Sequence, residues 1–373
     1  MYIDKDKIEE ISIEVVRTLK TRFDKFPEDA QQNRNAPFHE AFLKAFSNKL
    51  ENTKIEIPYL ISLSSWLHGL NTTLGQSFFE NVANILSDGI KMKFTNKNSL
   101  KVNQAQKSAI EEIITDLRAG ISKPDIKREE QQISNLTNDL LVDALGFSAD
   151  NFVEDDSEIV AIELKTVRLN AGEMRGEKQK ILYGKAALKR KEPHKKIKFC
   201  LGFPFDPLNE HSTGFDKQRF FNSIIEFRKY FHPDEVLLAD ELWDFLSGHK
   251  NTMADLLSII NDIATVDFEE EYNFIERGNY FDDKLFNSER FFINGRFTGF
   301  KNILEKWHLY SEVSLLEKIK EMQVKLRDEN KSMKKDFIKF LKQPIFTIVE
   351  DKIEYNYNRK SKLNNIYEIL FSQ

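Results

Sequence analysis

The chain has 373 residues, enough for two or three compact units, and its 40% hydrophobic and 31% charged residues exclude a disordered polymer. No apolar run approaches the ~20 residues that cross a bilayer, and the acidic start Met1-Tyr2-Ile3-Asp4-Lys5-Asp6 is unlike a secretory signal, so a cytoplasmic protein with no membrane role is expected. A formal net charge of −5 excludes a uniformly basic chain, and the lone Cys200, set in Phe199-Cys200-Leu201, reads as a buried thiol rather than half of a disulfide.

The first 145 or so residues read as mostly helical. Phe79, Val82, Ala83 and Leu86 form one apolar face of a helix within 71–91. Ile110, Ile113, Ile114 and Leu117 form another, stopped by Gly120, and a third helix is expected over 131–145, ending at Gly146. After Gly146 the period changes. Residues 151–154 and 159–167 read as strands joined by the polar cluster Asp155-Asp156-Ser157-Glu158. A helix is expected over 172–191, then a strand over 197–203 closed by Phe203-Pro204-Phe205-Asp206-Pro207. A helix over 217–230, a strand over 235–239 and a helix opening at 241–246 follow. These divide the chain into a helical N-terminal region (1–145), an α/β core (146–248) and a mainly helical C-terminal region (249–373). In the last of these, Leu315, Ile319, Met322 and Leu326 make a short heptad seam, better suited to packing within one protomer than to a coiled coil.

The chemistry sits in the hairpin. Glu163 and Lys165 share a strand face because side chains alternate with period two. With a four-residue turn at 155–158, Asp150 and Glu163 each lie five residues from it and face each other. Two carboxylates so placed repel unless a cation lies between them, and hard divalent ions such as Mg²⁺ take oxygen ligands. Lys165 can then hold a water or stabilise charge at a phosphate. The alternative is a surface hairpin carrying a salt bridge. Downstream, Lys165–Lys198 holds twelve lysines and arginines against three glutamates, which reads either as one cationic face for an anionic polymer or as a solvated lysine-rich helix. The seven histidines show no metal-ligand spacing, and no glycine-rich phosphate loop is present.

Asp150…Glu163-Leu164-Lys165 resembles the signature of the PD-(D/E)XK nucleases, with Ala149 in place of the usual proline. The block Glu163–Gln179 is similar to TdeIII-type type II restriction endonucleases. The likeness covers about residues 35 to 250 and leaves the C-terminal segment unaccounted for. It implies a restriction-endonuclease-like core, a mixed sheet flanked by helices, in an α/β protein. It also implies cleavage of duplex DNA at a short palindrome of the GGNCC kind with Mg²⁺, Mn²⁺ substituting. Asp150 and Glu163 would ligate the metal and Lys165 would assist water. A homodimer and a companion DNA methyltransferase of the same system are implied as well. Glu80 either joins the metal site or is an ordinary helical glutamate. Arg168, Arg175, Lys178, Lys180 and Gln179 are candidate DNA contacts, and Asn170 and Arg175 candidate base readers. Gln179 and Tyr183, at i and i+4, match a helix motif of such nucleases and equally match ordinary packing. Two other readings stand beside this one: a repair or junction-resolving nuclease of the same fold, and a non-catalytic DNA-binding protein.

Overall fold

A computed structural model describes residues 1–27, 43, 56–134, 140–166, 171–276, 296–326, 331–350 and 352–372. Among them no helix is long and apolar enough to cross a membrane. The chain forms two compact units. A sheet unit holds Met1–Ile3 and Gly75–Leu256, and a helical unit holds Asp4–Leu74 and Leu257–Gln373. The first 145 residues are therefore divided between the two rather than forming a region of their own.

The helical unit takes α1 (Lys5–Phe23) and α2 (Ile57–Thr73) from the early chain. The sheet unit then runs α3 (Phe79–Ser87), β1 (Ile90–Phe94), β2 (Lys101–Asn103), α4 (Gln104–Ala119), α5 (Ile126–Ile133), β3 (Leu141–Asp143), β4 (Phe147–Glu154), β5 (Glu158–Leu164), α6 (Ala171–Lys191), β6 (Lys196–Phe203), α7 (Lys217–Ser223), α8 (Phe227–Tyr230), β7 (Val236–Leu238) and α9 (Asp240–Ser247). The main sheet has the order β1-β4-β5-β6-β7. Its first three strands are antiparallel, and β5, β6 and β7 are parallel. This is a mixed sheet flanked by helices, with α6 packed on β6 and α3 on β4 and β1. Strand β5 lies in the middle, so Ile159, Ala161, Ile162 and Leu164 are all buried.

Local chemistry explains most boundaries. Helix α4 opens on a capping box, Asn103 Oδ1 accepting from Gln106 N–H at 2.6 Å and Gln106 Oε1 from Asn103 N–H at 3.0 Å. It closes where Gly120 adopts φ 71°. Of the expected 131–145 helix, residues 131–133 belong to the earlier α5, capped by Asp125, 135–139 lie outside the described residues, and 141–143 form β3, which pairs with β2. The expected 217–230 helix is broken into α7 and α8 around Ile224-Ile225-Glu226, where Glu226 has φ 64°. Residues 90–91, the end of the segment expected to be helical, instead open the edge strand β1.

The helical unit continues with α10 (Thr252–Ile263, from Leu257 onward), α11 (Phe268–Glu276), α12 (Arg296–Lys306), α13 (Tyr310–Lys325), α14 (Lys331–Leu341), the hairpin β8 (Phe346–Val349) and β9 (Lys352–Tyr355), and α15 (Tyr357–Phe371). Leu315, Ile319, Met322 and Leu326 are buried within the protomer, where α13 packs against α15. Trp307 stacks on Phe268 with ring centroids 5.3 Å apart. Arg359 is buried with its guanidinium 2.8 Å from Glu312.

Candidate active site

The β4–β5 register pairs Asn151 with Ile162, Phe152 with Ala161, Val153 with Val160 and Glu154 with Ile159. Continued one step, that register would set Asp150 opposite Glu163, and the charge of Asp150 does act on the Glu163 carboxyl. The turn is built locally. Asp155 Oδ1 accepts from Ser157 N–H at 2.7 Å and Glu158 N–H at 2.8 Å, which fixes its length and hence the phase of both strands.

A bulge aims the aspartate. Along β1, Ile90 pairs with Phe152 and Met92 with Ala149, so Asp150 and Asn151 together stand against Lys91 alone. Helix α3 clamps the bulge from behind. Asn151 Nδ2 donates to Asn84 Oδ1 at 2.9 Å and Ser87 Oγ at 2.6 Å, while Asn84 Nδ2 donates to the Asp150 carbonyl at 3.1 Å. Gly89 is required beside it, since a Cβ there would lie 2.5 Å from Asn151 Nδ2.

Six polar side chains then meet at one end of the hairpin. Asp150 Oδ2 accepts from the Leu164 N–H at 2.9 Å, and its Oδ1 lies 3.2 Å from Lys91 Nζ. The same ammonium is 2.6 Å from Glu80 Oε2. Glu163 Oε1 is 3.0 Å from Lys165 Nζ, and Glu163 Oε2 accepts from Ser148 Oγ at 3.4 Å. Helix α6 adds Glu177, 3.2 Å from Lys165 and 2.9 Å from Lys180. Asp150 and Glu163 are each only 8% exposed, a burial that charged groups tolerate only when partnered.

The electrostatics follow from that burial. Desolvation pushes the Glu163 carboxyl up, against the pull of Lys165 and with the charge of Asp150 adding to it. Desolvation also raises Glu80, opposed by Lys91. Burial disfavours the Lys165 ammonium, but Glu163 and Glu177 outweigh it and hold its pKa above the usual lysine range. Four carboxylates thus face three ammonium groups, leaving an excess of negative charge.

Among the described residues no group of three or more histidine, cysteine, aspartate or glutamate side chains converges as a complete metal cage. Mg²⁺ does not need one, since it is commonly held by one or two carboxylates with waters and substrate phosphates filling the rest. Asp150 and Glu163 fit that requirement by donor type and by lying close enough for the charge of one to act on the other.

The model of the family described as "Type II restriction endonuclease, HinfI" matches residues 3–264. The chain belongs to the HinfI family. Beyond the HinfI match, it is similar to the type II restriction enzyme MjaII of Methanocaldococcus jannaschii, 44% identical over 374 aligned positions that cover 98% of each chain. The likeness to MjaII therefore extends through the C-terminal region that the HinfI model leaves out. No solved structure matches.

Within this HinfI-family chain, Asp150, Glu163 and Lys165 come together, Glu80 joins them through Lys91, and Lys180 through Glu177. Arg175 is exposed and Gln179 half-buried on α6. Arg168 and Asn170 lie outside the described residues. Lys178, expected at DNA, is a correction: it is fully buried between Glu129 at 2.6 Å and Glu235 at 2.7 Å, out of reach of any phosphate. The single cationic face expected over 165–198 is also divided. Lys195 and Lys196 pair with Glu154 and Glu158 at the turn end of the hairpin, about 16 Å along β5 from Glu163 at ~3.3 Å per residue. Lys91, Glu177 and Ser148 were not singled out from the sequence. Lys91 was hidden inside an expected helix, and Glu177 counted only as a charge diluting the basic stretch.

Proposed function

We propose that the protein is a site-specific endonuclease that hydrolyses phosphodiester bonds of duplex DNA with Mg²⁺, built on a PD-(D/E)XK, restriction-endonuclease-like core. The observation that carries this reading is the convergence of Asp150, Glu163 and Lys165 at one end of the hairpin. Membership of the HinfI family and the likeness to MjaII support it. A short palindromic site of the GGNCC kind and a homodimer belong to the same proposal, because a two-fold sequence is matched by a two-fold protein. So does a companion methyltransferase protecting that site.

Each residue has a task set by its surroundings. The Leu164 N–H and the bulge hold Asp150 in place, and Ser148 steadies Glu163. When bound, a divalent ion on Asp150 and Glu163 would neutralise phosphate charge and lower the pKa of water from 15.7 toward ~7. Lys165, kept cationic by Glu163 and Glu177, would orient the attacking water and hold positive charge beside the phosphate as its negative charge grows.

The test is digestion of phage DNA with Mg²⁺. A discrete fragment ladder whose mapped ends share one palindrome is expected, with loss of cleavage in EDTA and recovery on adding Mn²⁺. Asp150→Asn, Glu163→Gln and Lys165→Ala should each slow cleavage by at least ~10³-fold, about 4 kcal/mol of barrier, while still shifting duplex DNA in Ca²⁺. Preference for branched DNA would point to junction resolution instead. Wild-type rates in these variants would remove the three residues from the reaction.

A further inference from the structure

Glu80 and Asp150 share one ammonium. Lys91 Nζ lies 2.6 Å from Glu80 and 3.2 Å from Asp150. The carboxylates form the inner half of the contact, their side chains 12% and 11% exposed against 39% for the lysine. Lys91 thus reaches in from solvent on a flexible stem that can swing outward. Its placement is nevertheless specified by the backbone. The bulge leaves Lys91 as the single residue of β1 facing Asp150 and Asn151, and Asn84, Asn151 and Ser87 lock that bulge to α3.

One set of carboxylate oxygens cannot serve two cations at once. An ion taken up by Asp150 meets the Lys91 ammonium on the same carboxylate, and like charges repel strongly where water screens poorly. Lys165 does not raise this problem to the same degree, since its ammonium has a second acceptor in Glu177, which stands on α6 and is no part of the proposed metal seat. Among the described residues the ionic partners of Lys91 are Glu80 and Asp150, both beside the metal seat, so its charge must find another anion when the metal enters. In a nuclease that anion is the DNA backbone. Resting on the proposed nuclease reading, we infer that Lys91 is an internal counter-ion that competes with the divalent metal for Asp150 and hands its charge to a DNA phosphate, making metal uptake conditional on DNA. Such coupling is reciprocal: DNA tightens metal binding, and the metal tightens DNA binding, by the same factor.

Ca²⁺ binding to the full chain, measured by calorimetry with and without a blunt-ended duplex and with cleavage checked on a gel, tests this. Wild type should bind Ca²⁺ at least tenfold more tightly when the duplex is present. Lys91→Met should bind Ca²⁺ at least tenfold more tightly than wild type in the free protein, and gain less than threefold from the duplex. Lys91→Arg, which keeps the charge, should behave as wild type. A phosphate that merely adds a ligand to the metal would help Lys91→Met as much as wild type, and that result overturns the proposal. So does equal Ca²⁺ affinity of wild type with and without duplex, a comparison that needs no variant to fold. Intact cleavage by wild type alongside either of these results rejects the role of Lys91 alone. Absence of both Ca²⁺ binding and cleavage rejects the nuclease reading with it.

Discussion

Adjacent residues of α6 belong to two clusters of opposite character. Glu177 turns toward the hairpin and pairs with Lys165 and Lys180. Lys178, ~100° further round the helix, enters the interior and is fully buried between Glu129 and Glu235, with Lys185 a further 3.7 Å from Glu235. Both clusters are buried and ionic, yet only one has the properties of a site. In the interior, burial would raise Glu235, but Lys178 and Lys185 outweigh it and hold the carboxyl below its usual range. Glu129 is raised by burial, which outweighs the pull of Lys178 and of the Asp125 N–H it accepts at 3.2 Å. Glu163 at the hairpin behaves like Glu129, raised by burial despite Lys165. The interior cluster approaches balance and is buried, whereas the hairpin cluster keeps surplus carboxylate beside a lysine that reaches solvent. Surplus charge at an accessible place is what a cation and a phosphate can use.

The two clusters should respond differently to the loss of one lysine each. Lys178→Met leaves Glu129 buried without its ammonium and Glu235 with Lys185 at 3.7 Å in its place, and should cost about 3–5 kcal/mol of stability in urea unfolding. Lys165→Met should cost far less stability while removing cleavage. Equal destabilisation by the two substitutions would erase the distinction. A finer test concerns Glu177, which positions Lys165 without facing Asp150. Glu177→Gln should lower kcat about tenfold to a hundredfold with KM little changed, some 1.4–2.7 kcal/mol of barrier, and Glu177→Asp should recover part of it. A rise in KM at constant kcat would make Glu177 a DNA contact instead.

The smallest effect comes from a carboxylate with weaker compensation, Glu276 in the helical unit. Burial pushes it up to about 7, against the Phe346 N–H it accepts at 3.2 Å and the more distant pull of Arg359 and Lys20, with Glu312 adding to the rise. Its folded pKa is above the unfolded value near 4.5, so the native state holds the proton more tightly. The stability it contributes is complete below about pH 4.5 and is lost as pH rises through about 7. Glu276→Gln should therefore gain about 1 kcal/mol over wild type at pH 8 relative to the difference at pH 4, the figure being reduced for partial exposure. Parallel urea curves for the two proteins at both pH values would contradict it.

What the sequence disclosed depended on how local the controlling signal was. The hairpin register was legible because the Asp155 turn sets its own length through hydrogen bonds two and three residues away. The face shared by Glu163 and Lys165 was legible because strand parity is arithmetic. The heptad residues of α13 were legible as an apolar stripe. Strand β1 was not, because the real helical period of Phe79, Val82, Ala83 and Leu86 ran on into Ile90, and Asp88 with φ 54° ends α3 by a backbone conformation that periodicity does not register. The fate of Lys178 was equally hidden. Its burial depends on Glu129 and Glu235, some fifty residues away on either side, and a window of charge along the chain cannot distinguish a phosphate-binding lysine from one matched inside.

The exposed turn at Asp155–Glu158 carries a final implication. Surface loops ordinarily absorb insertions and deletions, because little inside depends on how many residues they contain. Here the count is transmitted inward. One residue more or fewer would slide β4 past β5 by a single step and carry Asp150 to the opposite face from Glu163, leaving the fold's apolar content almost unaltered. In lineages that keep this chemistry, the turn should hold its number of residues and the carboxylate of Asp155 that sets it, while the other three positions are free to change in kind.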